Sequence, residues 1–411
     1  MVTNVLYITY DGLLEPLGQS QVLRYLEKLS DSYNIYVLSF EKKNDWQNST
    51  QRQRIQEKVD SHQIHWIPLR YHKSPSALAT TYDLLQGTIV SLFIVITKRV
   101  KIVHARSYVP SVIALFLRKL LGTKFIFDMR GFWADERVDA GIWPVGSKLY
   151  HVAKWFERQF LLNADHIVSL TQAAINEINQ FDYLQNFKLN FSCIPTCTDL
   201  ALFSPQPILD YEGSGDLVNN GLSKLTVGYV GSISGFYLFP EVLKFVELLS
   251  LTGQNISKFI IVTRTSYQLV EQTINQNISN LQSFTIKIVS ADYFDVPKIL
   301  RILNLAIFFR KPAYSNLACA PTKLGEFLAC GVPCVSNDGV GDMTQIIEQE
   351  RVGVVLRSFD EAAMYQAIEQ ILDLLKDEEL SQRCRATAMK YFSLEKGVKA
   401  YRDIYQKLSS Q

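Results

Sequence analysis

The sequence predicts an α/β protein of two domains, each built on a doubly wound parallel sheet, facing each other across a cleft. Its 411 residues exceed the roughly 250–300 at which a single hydrophobic core stops growing. Short apolar runs alternate with helical patterns along the chain, and strands spaced by helices are typical of parallel sheets. Apolar residues make up 47% of the chain, which is the composition of a globular protein with large cores.

The first domain is predicted to span residues 1–200. Its opening run is followed by a glycine-bearing loop and a helical pattern at Val22–Leu29, which together start a strand–helix unit. The segment Leu84–Ile96 is shorter than the ~20 apolar residues needed to cross a bilayer, so a core helix is expected there. The predicted strands are Asn4–Tyr10, Ile35–Phe40, Ile64–Leu69, Ile102–Ala105, Phe125–Asp128, Ile167–Leu170 and Phe191–Ile194.

Residues 201–223 are predicted to form a linker, because turn-forming and small polar residues dominate there. The second domain, over 224–385, repeats the alternation and includes a helix at Phe239–Leu251. The final segment, 386–411, contains a predicted helix at Leu394–Leu408. The strands predicted for the second domain are Leu225–Val230, Phe259–Thr263, Ile286–Ser290, Leu305–Phe309, Val332–Ser336 and Gly353–Leu356.

Composition excludes several classes of function. The net charge of +2 provides no overall field that would favour nucleic acid. The six cysteines lack C-x-x-C spacing, the six histidines lack a His-x3-His pair, and the chain contains no Asp-x-Asp, so no metal site is expected. The N-terminus enters a strand at once and lacks the features of a signal peptide. These observations predict a cytoplasmic protein with buried thiols and no metal or cofactor.

The segment Ala318–Asp342 combines a helix start, a carboxylate and a helix stop. Pro321 suits the opening of a helix over Thr322–Cys330, and Gly331 suits the left-handed position after its end. Lys323 lies in the first turn, where the helix dipole disfavours a cation but free N–H groups attract phosphate. Glu326, one turn later, could accept hydrogen bonds from sugar hydroxyls, or be a surface carboxylate paired with Lys323.

These residues resemble the family-4 glycosyltransferases, retaining enzymes with two Rossmann-like domains (the GT-B architecture). In that family a Glu-x7-Glu element contacts the nucleotide-sugar donor. Glu326 corresponds to the second glutamate, whereas Ala318 stands at the first, which in the family lies near the transferred sugar. The resemblance implies donor contacts by Thr322, Lys323, Leu324 and Glu326, and a C-terminal tail that crosses back onto the first domain.

A glycine loop in the first domain also resembles the family. Gly18, Gln19 and Ser20 precede a helix and correspond to the loop beneath the donor phosphates, although a plain strand–helix connection is the alternative.

A second glycine loop, containing Gly231 and Ser232, corresponds to the family's loop near the donor diphosphate. Relatives often have an arginine after the second glycine, which is absent here. Arg264, Arg310 and Lys311 follow predicted strands, whose ends face the cleft. They are therefore expected to compensate the diphosphate charge, or else to be solvated.

Many members of the family have a histidine at about the position of Asp128. A branch of the family resembling bacterial polysaccharide enzymes carries a run similar to the one from Asp128 to Arg137. The resemblance implies catalytic roles for Asp128, Arg130 and Glu326. The alternative is a structural ion-pair network that joins Asp128 and Arg130 to Asp135 and Arg137.

The resemblance as a whole implies a metal-independent hexosyltransferase that moves a sugar from a nucleoside diphosphate donor to a saccharide or lipid-linked acceptor. Surface polysaccharide or glycolipid synthesis is the expected setting. Trp143–Asn163 interleaves basic and aromatic residues, which suits contact with the inner-membrane surface as well as core packing. Two alternatives stay open: a sugar-nucleotide epimerase on the same fold, and a non-catalytic nucleotide-sugar-binding subunit.

Overall fold

A computed structural model describes residues 2–74, 76–205, 225–253, 256–278 and 284–410. The chain forms two compact units. Unit 1 comprises Met1–Pro195, Tyr314–Cys319 and Leu394–Gln411, and unit 2 comprises Thr196–Ala313 and Ala320–Ser393. Most of the predicted linker, residues 206–223, lies outside the described residues.

The first part of the chain alternates strands and helices as the apolar runs predict. A π-helical turn, Gln19–Leu23, joins the first two helices. The strands are β1 (Thr3–Thr9), β2 (Tyr33–Glu41), β3 (His65–Arg70), β4 (Ile102–Arg106), β5 (Lys124–Asp128), β6 (His166–Ser169) and β7 (Phe191–Cys193). The helices are α1 (Pro16–Gly18), α2 (Arg24–Leu29), α3 (Lys43–Gln47), α4 (Ser49–Ser61), α5 (Ser76–Lys98), α6 (Tyr108–Leu121), α7 (Trp133–Asp139), α8 (Lys148–Asn163) and α9 (Gln172–Ile178).

The later part of the chain repeats this alternation and ends in helices. Its strands are β8 (Leu225–Val230), β9 (Ile256–Val262), β10 (Thr285–Val289), β11 (Leu305–Ile307), β12 (Cys334–Asn337) and β13 (Gly353–Leu356). Its helices are α10 (Phe239–Leu251), α11 (Tyr267–Asn277), α12 (Val296–Leu300), α13 (Thr322–Ala329), α14 (Met343–Glu350), α15 (Glu361–Leu374), α16 (Leu380–Tyr391) and α17 (Leu394–Ser409).

Each unit contains one parallel sheet of Rossmann type. The strand order is β3-β2-β1-β4-β5-β6-β7 in unit 1 and β10-β9-β8-β11-β12-β13 in unit 2. The order reverses between β1 and β4, and again between β8 and β11, and ligands of such sheets bind beyond the strands' carboxyl ends at this switch point. The central strands β4 and β5 are almost wholly buried, which explains their continuous apolar runs. The predicted α/β fold is confirmed.

Helix α5 differs from the expected short core helix. It has 23 residues, and among the described helices only its segment Ala77–Lys98 is long and apolar enough to cross a membrane by length and composition. Only 33% of its most apolar window is buried. One face, which includes Asp83 and Ser91, is fully buried, whereas the opposite face is exposed. The prediction was wrong for that outer face, because an apolar run does not reveal that the protein covers only one side of the helix.

Two later stretches of chain belong to unit 1. In the segment Tyr314–Cys319, the Tyr314 ring stacks on Phe132 with the ring centroids 5.4 Å apart. The Thr171 hydroxyl donates a hydrogen bond to the Leu317 carbonyl at 2.6 Å. The second stretch is α17, whose apolar side is buried. Unit 1 is therefore completed by residues remote in sequence from its sheet.

Candidate functional site

The loop after β8 and the first turn of α13 meet at the switch point of the unit 2 sheet. Gly231 directly follows β8 with a φ of 142°, and a Cβ atom there would collide with the Lys323 ammonium. Glycine at this position therefore provides the space in which the buried Lys323 side chain lies. Helix α13 begins at Thr322 as predicted and ends one residue earlier than predicted, with Gly331 in the left-handed conformation.

Two cations lie against one aromatic ring beside this loop. The Lys323 ammonium is 3.4 Å from the Tyr237 ring centroid, and the Arg310 guanidinium carbon is 5.4 Å from the same centroid. An antiparallel bridge joins Tyr237 to Arg310, and the Arg310 amide donates to the Asn337 side-chain oxygen at 2.7 Å. We call Tyr237, Arg310 and Lys323 the cation cluster. It concentrates positive charge beside the loop after β8 and the first turn of α13.

Glu326 lies one turn after Lys323 on α13 and is half-buried. Burial raises the pKa of its carboxyl to about 7, and the nearby Lys323 charge offsets this only in part. Among the described residues, the Lys323 charge acts on the Glu326 carboxylate without a hydrogen bond between the two side chains. Glu326 is therefore not an exposed carboxylate joined to Lys323 by a hydrogen bond.

The other residues predicted for donor binding in unit 2 do not belong to the cation cluster. Leu324 is buried, so only its backbone could reach a ligand. The exposed Arg264 pairs with Asp292 at 3.3 Å, and Ser232 is exposed, with its hydroxyl accepting from the Ser234 amide at 3.3 Å. Thr322 is half-buried at the helix start and Lys311 is exposed. Their proposed contacts stay predictions.

In unit 1, the loop after β1 is folded tightly on itself. Gly18 is buried, and a Cβ atom there would collide with the Gly12 carbonyl. The Gln19 side-chain amide donates to the Leu14 carbonyl at 3.0 Å, so this side chain stabilises the loop. Ser20 is half-buried in the π-helical turn, a feature frequent at functional sites.

Asp128 ends β5 and is only 1% exposed. Its carboxylate accepts a hydrogen bond from the Tyr401 hydroxyl at 3.0 Å, lies 3.5 Å from His104 Nε2 and lies 3.8 Å from the Arg130 guanidinium. Burial alone would raise the Asp128 pKa, but the charge of Arg130 and the contact with His104 keep it below its ordinary value. Asp128 is therefore a buried, ionised carboxylate.

His104 connects this carboxylate to helix α17. Its Nδ1 lies 2.7 Å from the Tyr405 hydroxyl, and burial lowers its pKa below the ordinary value. The ring is therefore neutral at physiological pH. Asp128, Arg130, His104, Tyr401 and Tyr405 are called the Asp128 cluster below.

The backbone beside the Asp128 cluster is strained. Arg130 has a φ of 58°, and Ser107, at the start of α6, has a φ of 71° and a ψ of −175°. The Ser107 amide donates to the Asp128 carbonyl at 2.7 Å. Such conformations cost on the order of 1–3 kcal/mol each in non-glycine residues and cluster at functional sites. They support a functional role for the carboxyl ends of β4 and β5.

The single ion-pair network considered from the sequence is not formed. Asp135 pairs with Lys154 at 3.0 Å, and the Arg137 guanidinium packs over the Trp133 ring at 5.3 Å. Asp128 and Arg130 thus form a separate group. The division arises because Asp135 and Arg137 lie on α7 and not at the strand end.

Ala318, at the position of the family's first glutamate, is 1% exposed and belongs to the hydrophobic core of unit 1. A glutamate at this position would place a carboxylate among apolar side chains. The apolar surroundings therefore suit an alanine at this position, where the family has its first glutamate.

Sequence reasoning did not identify Tyr237, Asn337, His104 and Tyr401. His104 could have been noticed as a polar residue inside an apolar strand, but the others have no local signal. Cys193 is exposed, unlike the buried thiol expected, because it ends a short strand that is only partly buried. Among the described residues, no group of three or more His, Cys, Asp or Glu side chains is placed to hold a metal ion.

Two family models match successive parts of the chain. Residues 21–184 match the model described as Glycosyl transferase 4-like domain, and residues 223–391 match that of Glycosyl transferases group 1. Comparison with curated protein sequences finds no match.

Solved structures share the fold over almost the whole chain. The sucrose-phosphate synthase of Thermosynechococcus elongatus has a TM-score of 0.69 at 14% identity, covering 99% of both chains. A glycosyltransferase of Rickettsia africae has a TM-score of 0.68 at 16% identity, covering 99% of this chain and 98% of its own. Anabaena HepE in complex with UDP-glucose has a TM-score of 0.65 at 13% identity, covering 99% of this chain and 100% of its own.

Proposed function

The chain belongs to the family-4 glycosyltransferases of the GT-B architecture, and from this we propose that it transfers a hexose-type sugar from a nucleoside diphosphate sugar to an acceptor hydroxyl, with retention of configuration. The cation cluster at the switch point of unit 2 is the observation that carries the proposal. HepE, a protein of similar fold, has been solved with UDP-glucose bound, which supports a nucleotide-sugar donor here.

The cation cluster suits the stabilisation of a departing diphosphate. Negative charge develops on the leaving group as the glycosidic bond breaks, and preorganised cations and helix N-termini stabilise such charge without reorganisation. Gly231 provides the space for Lys323, and Asn337 fixes the Arg310 backbone. Because these side chains supply positive charge themselves, we infer that transfer proceeds without a metal ion or other cofactor.

Glu326 is proposed to orient the donor, since its carboxylate lies one turn from Lys323 and is influenced by that charge without a hydrogen bond to the Lys323 ammonium. In unit 1, the ionised Asp128 and the adjacent Arg130 are proposed to contact the reacting groups. Ala318 cannot supply the carboxylate that the family has near the transferred sugar, which favours the non-catalytic binding subunit as the second candidate.

We propose a saccharide or lipid-linked acceptor and a role in surface polysaccharide or glycolipid synthesis, with the enzyme in the cytoplasm and peripheral at the inner membrane. The segment Trp143–Asn163 supports membrane contact, because it exposes Leu149, Val152 and Trp155 beside basic residues.

The function is tested by incubating the purified protein with a panel of nucleoside diphosphate sugars, with and without bacterial membranes and with EDTA. Release of nucleoside diphosphate that requires the membranes supports transfer, and the anomeric configuration of the product tests retention. Isomerised donor without acceptor would identify an epimerase, whereas donor binding without turnover would identify a binding subunit. Turnover abolished by EDTA would refute metal independence.

A matched pair of variants tests the cation cluster in the same assay. We expect Lys323→Met to weaken nucleoside diphosphate binding by about ten- to a hundredfold, because a charge-assisted contact is worth roughly 1.5–3 kcal/mol. Lys298→Met serves as the control, since Lys298 is exposed and pairs with Asp295. Equal diphosphate affinity in the two variants, measured by calorimetry, would exclude Lys323 from the site.

A further inference from the structure

Helix α5 carries a continuous apolar stripe on its outer face. The stripe residues are spaced by three or four positions, which places them on one side of a helix. They are Leu78, Tyr82, Leu85, Ile89, Phe93 and Ile96, each more than half exposed. Contiguous apolar surface of this kind usually marks an interaction site.

The stripe continues onto neighbouring helices. Helix α5 packs against α6, and α6 packs against α8, so the three helices lie side by side on unit 1. The exposed apolar residues of α6, of α8 and of the loop before α8 are Phe116, Leu120, Leu121, Ile142, Val145, Leu149, Val152 and Trp155. We call the outer surface of α5, α6 and α8, with this loop, the apolar face.

The charges on the apolar face have one sign. The exposed charged side chains of the three helices are the basic residues Lys98, Lys119, Lys148 and Arg158. The acidic residues of these helices, Asp83 and Glu157, are both fully buried. A surface of exposed apolar and basic side chains without acidic ones complements the headgroups and acyl boundary of an anionic bilayer.

We propose that the apolar face binds the surface of an anionic lipid bilayer, with α5 lying parallel to the membrane plane. Asp83 fixes this orientation, because it accepts hydrogen bonds from the Tyr10 hydroxyl at 2.8 Å and the His72 amide at 3.1 Å. A spanning orientation would break these bonds and place the Asp83 carboxylate in hydrocarbon. The inference deepens the proposed function, on which it rests for the presence of an acceptor at the membrane.

The test measures sedimentation of the full-length protein with vesicles of phosphatidylcholine alone or mixed with phosphatidylglycerol, in the absence of donor. We expect binding to the mixed vesicles that weakens at high salt. The double variant Ile89→Asp/Phe93→Asp should bind about tenfold more weakly or worse, because two large apolar contacts are replaced by charges. The matched control is Leu251→Asp/Leu269→Asp, which changes exposed leucines of unit 2 and should bind like the wild type.

Three outcomes would overturn the proposal. These are failure of the wild type to bind either vesicle, equal binding by the two double variants, and a wild-type dimer in light scattering that dissociates in the Ile89/Phe93 variant without any vesicle binding. Thermal unfolding of each variant verifies that it is folded. Because donor is omitted, vesicle binding by a protein that turns over no nucleotide sugar would contradict the proposed function and leave the membrane contact standing.

Discussion

At the scale of single residues, the position of the Lys323 ammonium depends on a missing side chain. Gly231→Ala would place a methyl group where the ammonium lies, so we expect diphosphate affinity to fall about tenfold or more as Lys323 leaves the Tyr237 ring. Isothermal titration with nucleoside diphosphates measures this loss.

Gly235→Ala is the matched control for this change. Gly235 also has a positive φ, of 76°, but nothing lies within 4 Å of the position that a Cβ atom would take there. Both variants introduce backbone strain, but only Gly231→Ala displaces a cation. Similar losses of affinity in both variants would show that strain, and not the position of Lys323, limits binding.

The residues of the site differ in how far the sequence predicts them. Lys323 and Glu326 were identifiable because a helix start after proline is a local pattern. Tyr237 was not, since it reaches the site through a backbone bridge to Arg310, a residue distant in sequence. Asp128 and Arg130 were predicted at a strand end, but the buried His104 and Tyr401 beside them depend on the tertiary fold.

At the scale of elements, α17 completes the Asp128 cluster. Tyr401→Phe removes the hydrogen bond from its hydroxyl to a buried carboxylate. We expect a loss of roughly 1.5–3 kcal/mol in the free energy of unfolding, because bonds to buried charged groups are the costly ones to remove. Chemical denaturation measures the loss.

The control for this prediction is Tyr391→Phe, which removes a hydroxyl that donates to Glu350 at 2.8 Å near the surface of unit 2. Its cost should stay below about 1 kcal/mol. If Tyr401→Phe costs no more than Tyr391→Phe, the Asp128 carboxylate does not depend on α17.

The strands and most helices could be predicted because apolar periodicity is local. Helix α10 was predicted with its observed bounds, Phe239–Leu251, since a proline start and a continuous apolar pattern define it. The exposed face of α5 could not be predicted, because an apolar sequence does not show which side of a helix is covered by the rest of the protein. The docking of Tyr314–Cys319 into unit 1 has no local pattern either.

At the scale of the whole molecule, Glu326 in unit 2 and His166 in unit 1 contribute opposite pH dependences to the free energy of unfolding. Burial raises the pKa of Glu326 to about 7, so its favourable contribution to folding is present below pH 4.5 and is lost as the pH rises through 7. Burial lowers the pKa of His166 to about 4, so its contribution is present above pH 6.5 and is lost as the pH falls through 4.

We therefore expect Glu326→Gln to become more stable relative to the wild type as the pH rises from 5 to 8, and His166→Gln to become more stable relative to it as the pH falls from 7 to 4. Each change should reach about 2–3 kcal/mol, since one pKa unit corresponds to 1.36 kcal/mol. Denaturant unfolding at several pH values measures both. Curves that run parallel to the wild-type curve would contradict the assigned burial.

The composition of unit 1 limits how this enzyme could exchange parts with its relatives. The chain enters unit 1 three times, through Met1–Pro195, Tyr314–Cys319 and Leu394–Gln411. A recombination event at the linker would thus inherit a first half without its own Tyr401 and Tyr405. A folded chimaera would need to carry both later segments along with the first half, because unit 1 is encoded by three separate stretches of the gene.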